Sequence, residues 1–297
     1  MGRVQRASHG FVHPPLRFSC AVLLVVLSRH EGTMPRPQGF CIFCRGTDLT
    51  KEHIIADWTA QYLPKNVPSH TKTSLRIDEP SLVETVQRSA KKIDGDPRSR
   101  KIRKVCKSCN GGWMRKQQDL AKPIAAPMIQ GQKVCLSSAN QKTLAIWILM
   151  TIMVSEFSDE EFGAIPLADR QFLKAMQSPP SNWKILLGHY PHGIRVPYLH
   201  HESAALNLHG APIDNEALNT QATTYTVGHV YVHAVSSVDP KFVAGVHANP
   251  RENRLVQIWP VLSDLRTWPE TLSLSHAEAN GIPGTLYRYA VELNRRQ

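Results

Sequence analysis

The sequence has no apolar run long enough to span a membrane. Its two candidates, Cys20 to Leu27 and Gln141 to Phe157, fall short of the roughly 20 apolar residues that a bilayer requires. Lys142 and Glu156 bracket the second run, and no convincing small-x-small cleavage signal follows the first. Neither a membrane partner nor a secreted product is therefore expected. Cysteine is scarce: of six, only Cys20 and Cys135 stand outside a pattern, and both are expected to be unligated thiols, with Cys135 inside the fold. Negative charge is also scarce, with 24 Asp and Glu against 35 Lys and Arg, a formal net charge of +11 that favours a polyanionic partner. There is no zinc-finger spacing and no recognition helix, which leaves sequence-specific DNA reading without support.

Four cysteines make two pairs, Cys41-x2-Cys44 and Cys106-x2-Cys109. A pair at this spacing turns tightly enough for both sulfurs to face one metal ion, and two such knuckles complete a tetrahedral four-sulfur Zn²⁺ shell. With no open coordination position, that zinc would be structural. Reduced thiols in chance spacings, or a single redox pair, are the alternatives. Two pairs, both flanked by Lys, Arg, Gly or Ser, favour zinc and a reducing cytoplasm.

Between the pairs, Leu49-Thr50-Lys51-Glu52-His53-Ile54-Ile55 reads as a short strand carrying polar groups into an apolar stretch. The second pair runs into Asn110-Gly111-Gly112-Trp113, with a helix expected from about Trp113. A zinc clasp would bring the His53 strand and the start of that helix together. Adjacent strand residues point to opposite faces, so Glu52 and His53 serve one site only if the strand twists or bulges, or if Glu52 lies at its edge. Asn110 also fits a helix cap, His53 a structural hydrogen-bonding role and Trp113 core packing.

The segments CIFC at 41–44, LTKEHII at 49–55 and VCKSCNGGWM at 105–114 resemble the HNH, or ββα-metal, endonucleases, in the branch with paired zinc knuckles. The likeness covers about 80 of the 297 residues. It implies that His53 is the general base that activates water. Glu52 and Asn110 would then be protein ligands of a catalytic Mg²⁺ or Mn²⁺. Residues 99–104 contain no Asn, so the central Asn of many members, which pins the loop bearing the base, is missing or displaced. A noncatalytic zinc-stapled nucleic-acid-binding protein is the alternative reading, and a module that binds acidic protein surfaces is a third.

Arg98, Arg100, Lys101, Arg103, Lys104 and Lys107, followed by Arg115 and Lys116, concentrate the basic surplus beside the motif. They are the expected nucleic-acid contacts, to DNA with RNA left open; a solvated charged linker is the bland reading. The 61 residues between Cys44 and Cys106 exceed a minimal hairpin and must contain an insertion, including Pro64 to Pro80 and Lys91 to Arg98.

The expected fold class is α+β. A poorly ordered extension over 1–35, with Met34 as the suspected start, precedes a zinc-stapled ββα-metal module over 36–132 and a separate α+β domain with antiparallel strands over 133–297. In that last domain a buried helix is expected at Gln141 to Phe157 and a second at Ala168 to Met176. Strands are expected at Trp183–Gly188, Thr224–Val235, Phe242–His247, Leu255–Trp259 and Thr285–Leu293. His200, His201, His229, His233 and His247 lack a ligand spacing, although His229 and His233 would share a strand face. Neither the role of 133–297 nor the oligomeric state is legible.

Overall fold

The computed structural model describes residues 39–64, 69–77, 86–94, 99–194, 198–206, 218–246, 254–269 and 272–295. Leu49–His53 (β1) and Lys101–Cys106 (β4) form a two-stranded antiparallel sheet, with Leu49 opposite Cys106. This register sets the two cysteine pairs side by side. The intervening segment forms a hairpin, Ser69–Ile77 (β2) with Val86–Asp94 (β3). β2 lies parallel to Tyr198–Ala204 (β7), which joins the hairpin to a seven-stranded sheet.

The rest of that sheet is antiparallel: Trp183–His189 (β6), Thr220–Val227 (β8), Val230–Ser236 (β9) and Leu255–Trp259 (β10), in the order β10-β6-β9-β8-β7-β2-β3. The β2–β7 pair makes the sheet mixed, while the strands within 133–297 pair antiparallel, as expected. Every residue of β8 and β9 is buried, because helices cover both faces. Their β-branched and aromatic residues suit a doubly covered pleat.

Beyond β4 come a single helical turn, Lys107–Cys109 (α1), a π-turn over Asn110–Met114 and the helix Arg115–Ile129 (α2). A short strand Val134–Ser137 (β5), paired with Leu265–Trp268 (β11), leads into Ser138–Ser155 (α3). The Ser137 hydroxyl caps α3 by accepting the Asn140 N–H at 3.2 Å. From Leu144 to Ser155 every residue of α3 is buried, as the all-round apolar run predicts. Its hydroxyls turn back to the helix backbone: Thr151 Oγ1 donates to the Trp147 carbonyl and Ser155 Oγ to that of Ile152. Leu167–Met176 (α4) matches the second expected helix. No helix among the described residues is long and apolar enough to cross a membrane.

Three strand expectations are corrected. Phe242–His247 is helical as Pro240–Gly245 (α5), started by Asp239, whose side chain accepts the Lys241 N–H at 2.9 Å, and by proline at the first turn; His247 lies outside the described residues. After His276–Gly281 (α6), Thr285–Leu293 is likewise helical, as part of Thr285–Arg295 (α7), where Leu286 and Ala290, one turn apart, are buried. The single strand expected at Thr224–Val235 is a hairpin, β8 and β9 joined at Gly228-His229. His229 is thus in a turn and shares no strand face with His233. Cys135 is exposed, not interior: Leu136 points to the core, and strand alternation turns its neighbour outward. Cys20 and the whole 1–35 segment lie outside the described residues.

Contacts gather Pro35–Gln297 into one compact unit. The boundary expected at 132 falls within it, because β2 and β3 complete the sheet of the later strands. Phe43, Val105 and Met114 share a core cluster with Leu144, Trp147 and Ile185.

Gly228 sets the closeness of this packing. It has φ +56°, and an added Cβ would lie 2.3 Å from the Ile129 carbonyl oxygen. That oxygen accepts the His229 N–H at 3.0 Å, tying the β8–β9 turn to the end of α2. Gly228→Ala should therefore destabilise the protein by about 2–4 kcal/mol. Urea unfolding would show it as a lower midpoint at constant slope; an unchanged midpoint would refute the close approach.

Candidate metal centre and catalytic cleft

The first cysteine pair is held by its own backbone. Arg45, at φ 63°, donates its N–H to the Cys41 carbonyl at 2.8 Å, and Cys41 N–H reaches the Gly46 carbonyl at 2.7 Å. Gly46 N–H points to Cys44 Sγ, and Cys109 N–H to Cys106 Sγ, each at 3.4 Å. The four sulfurs lie within 4.8 Å of one another, with Cys44 Sγ and Cys106 Sγ 3.4 Å apart. A tetrahedral zinc with bonds near 2.3 Å needs sulfurs about 3.8 Å apart, so the cluster could bind one zinc ion with small adjustment. Burial opposes ionisation of Cys44, but hydrogen bonds from Gly46 N–H and the neighbouring thiols outweigh it and bring the thiol down to about 7. Burial pushes the Cys109 thiol up. Trp113 meets Phe43 edge to face at 5.1 Å beneath the cluster, the packing role the sequence suggested.

Adjoining this centre, Glu52, His53, Met114 and Gln118 line one small cleft with Trp147 and Thr151 of α3. A bulge interrupts the β1–β4 pairing between Thr50 and Glu52, and β1 ends at His53. Both side chains therefore border one space although they are adjacent in sequence. The Glu52 carboxylate is 7% exposed and accepts a hydrogen bond from Gln118 Nε2 at 3.2 Å. Burial raises its pKa to about 7, against the opposing pull of the Gln118 and Asn110 amides and of Lys101. Asn110 also donates from Nδ2 to Thr50 Oγ1 at 3.0 Å, and Thr50 in turn donates to the Val105 carbonyl at 3.2 Å. The π-turn kinks at Gly112, at φ −96° and ψ −108°, just after Asn110.

His53 Nε2 lies 3.2 Å from Asp57 Oδ1. Burial lowers the imidazole pKa, Asp57 opposes this, and Lys101 reinforces it. The net shift is downward, which favours the neutral imidazole, the form that can act as a proton acceptor. The structure thus brings Glu52, His53 and Asn110 together, and the carboxylate and amide oxygens of Glu52 and Asn110 are hard donors of the kind Mg²⁺ or Mn²⁺ takes. Sequence reasoning missed Gln118, Thr50 and Asp57. Gln118 comes eight residues after Asn110, but the kink between them breaks the helical period that would have aligned the two.

The basic run divides by strand alternation. Lys101 and Arg103 on β4 are exposed, as are Lys107, Arg115 and Lys116, and Arg103 donates to the Leu49 carbonyl at 2.9 Å. Arg100 is half-buried. Lys104 is turned inward, 2.6 Å from Glu160 and over the Phe157 ring, so its charge is already matched. Arg98 lies outside the described residues. Among the described residues, the four cysteines alone satisfy the spacing of three or more His, Cys, Asp or Glu side chains around one ion. His200, His201 and His233 instead share hydrogen bonds with Thr73, Thr223 and Thr224.

No family model, characterised protein or solved structure matches the chain.

Proposed function

We propose that this protein is an HNH-type endonuclease that hydrolyses DNA phosphodiester bonds with little sequence preference, its four-cysteine zinc site structural and its cleft metal-dependent. What supports this reading is that Glu52 and His53 border one cleft beside the cysteine cluster and that the Asn110 amide acts on the Glu52 carboxylate. Glu52 and Asn110 would hold Mg²⁺ or Mn²⁺, which would supply positive charge to offset the negative charge developing on the phosphate oxygens. With Nε2 directed at Asp57, His53 Nδ1 is the nitrogen left to accept a proton from the attacking water. Gln118 fixes the Glu52 carboxylate, and Thr50 fixes the Asn110 amide. The exposed Lys101, Arg103, Lys107, Arg115 and Lys116 would hold the backbone phosphates.

Supercoiled DNA should be nicked only with added Mg²⁺ or Mn²⁺, and His53→Ala should lose about 10²–10⁴-fold of the rate while retaining zinc. If neither protein cuts DNA that both bind, the zinc-stapled binding module is the better description.

A further inference from the structure

We propose that Lys72, Lys91 and Arg100 form an anion subsite around Asp159 that takes a nucleic-acid backbone phosphate flanking the one cut at His53, an inference that rests on the nuclease reading. Three separate elements build it. Asp159 lies between two short turns, Glu156–Ser158 and Glu160–Phe162, and is 7% exposed. Lys72 of β2 is buried 3.8 Å from its Oδ2 and donates to Ser158 Oγ at 2.7 Å. Lys91 of β3 reaches Oδ1 at 3.0 Å while its side chain stays half exposed. Arg100, the residue before β4, is half-buried; burial lowers its guanidinium pKa and the Asp159 charge opposes this.

The neighbouring acids are engaged elsewhere. Glu156 accepts from the Ala164 and Ile165 N–H groups and pairs with Arg170, and Glu160 pairs with Lys104. Lys72 and Lys91 thus share the Asp159 carboxylate, with Glu156 a weaker counter-charge to Lys72, and Arg100 adds a third cation, a partly desolvated positive excess that an anion would offset. Phosphate oxygens suit it, since they can accept charge-assisted bonds from the half-exposed Lys91 and the half-buried Arg100. Position selects the ligand. The Arg100 carbonyl accepts the Ile54 N–H at 3.1 Å and Lys101 pairs with His53, so the subsite begins beside the candidate base. The insertion between the cysteine pairs thereby acquires a role in binding, since the β2–β3 hairpin brings two of the three cations.

The test is fluorescence anisotropy of a short DNA duplex, and of an RNA duplex of the same sequence, without added divalent cation and over a range of KCl. Arg100→Ala and Lys91→Ala should each bind about tenfold more weakly at low salt, and each should flatten the slope of log affinity against log salt by about 0.9. Arg100→Lys should recover most of the slope. Lys241→Ala, an exposed change on α5 across the sheet, should match the parent. The arm with the larger loss identifies the backbone. Unchanged slopes in both alanine variants, or a parent that binds neither duplex, would overturn the subsite. A flattened slope in a protein that nicks no DNA would uphold the subsite and sink the hydrolytic reading; nicking with unchanged slopes would do the reverse.

Discussion

Cys109→Ser is expected to remove zinc from the purified protein and to lower its thermal midpoint by roughly 10–20 °C. The sulfurs of Cys41, Cys44, Cys106 and Cys109 close the chain across 62 positions from Cys44 to Cys106, and Cys41, Cys106 and Cys109 are buried. Their neighbours Ile42, Phe43 and Val105 belong to the main core, so loosening the knuckles exposes apolar surface as well as a metal site. Structural zinc contributes about 10–16 kcal/mol of apparent binding energy in small domains. A larger protein retains part of its fold without it, and a loss of about 5 kcal/mol corresponds to the midpoint shift given, at roughly 2–4 °C per kcal/mol. Elemental analysis should find one zinc per chain in the parent and none in the variant, with calorimetry giving the shift. Cys135→Ser, an exposed thiol outside the cluster, should change neither. Full zinc content in Cys109→Ser would dismiss the four-sulfur site.

Acidification should destabilise the protein through His233. Its ring is buried, shares a 2.8 Å hydrogen bond with Thr224 Oγ1, and has a pKa lowered to about 3, first by burial and then by Arg288 and His200. In the unfolded chain the imidazole takes a proton near pH 6.5, whereas in the folded protein it does not until about pH 3. Folding stability is therefore whole above about pH 6.5 and falls as the pH drops through the window between those values. The loss is about 2 kcal/mol at pH 5 and nearly 5 kcal/mol at the lower limit. His201, also buried and also lowered by burial, acts in the same direction. Urea unfolding at pH 7.5, 6 and 5 should give the parent a steeper decline than His233→Gln by about 2 kcal/mol at pH 5. Parallel declines would place the acid sensitivity in other groups.

Local spacing made much of the candidate site legible. A CxxC turn is encoded in four residues, and two of them predict the cluster that the β1–β4 register assembles. Glu52-His53 and the Asn110 that follows the last cysteine stand out because polar groups there interrupt apolar sequence. The buried α3 announces itself by apolar residues on every side. The strand expectations failed where the apolar signal was short: α5 buries only Phe242, and α7 buries Leu286 and Ala290 among its described residues, and a short helix with one buried stripe resembles a strand when the buried partner is unknown. The Asp239-Pro240 start of α5 was a readable signal that favoured helix.

The cysteine cluster, the candidate catalytic residues, the excess of positive charge and the central buried helix all follow from the amino-acid order alone, because each is written in spacings or compositions within a short window. The place of the insertion is instead a product of long-range packing. Its hairpin pairs in parallel with β7, whose residues lie more than a hundred positions later, so Thr73 faces His200 and Lys72 meets Asp159. Packing also settles which charges remain available: Lys104 and Arg103 are adjacent in sequence, yet strand alternation turns one inward against Glu160 and leaves the other in solvent. Pairing across such distances depends on which buried surfaces fit each other, and no local pattern records that choice.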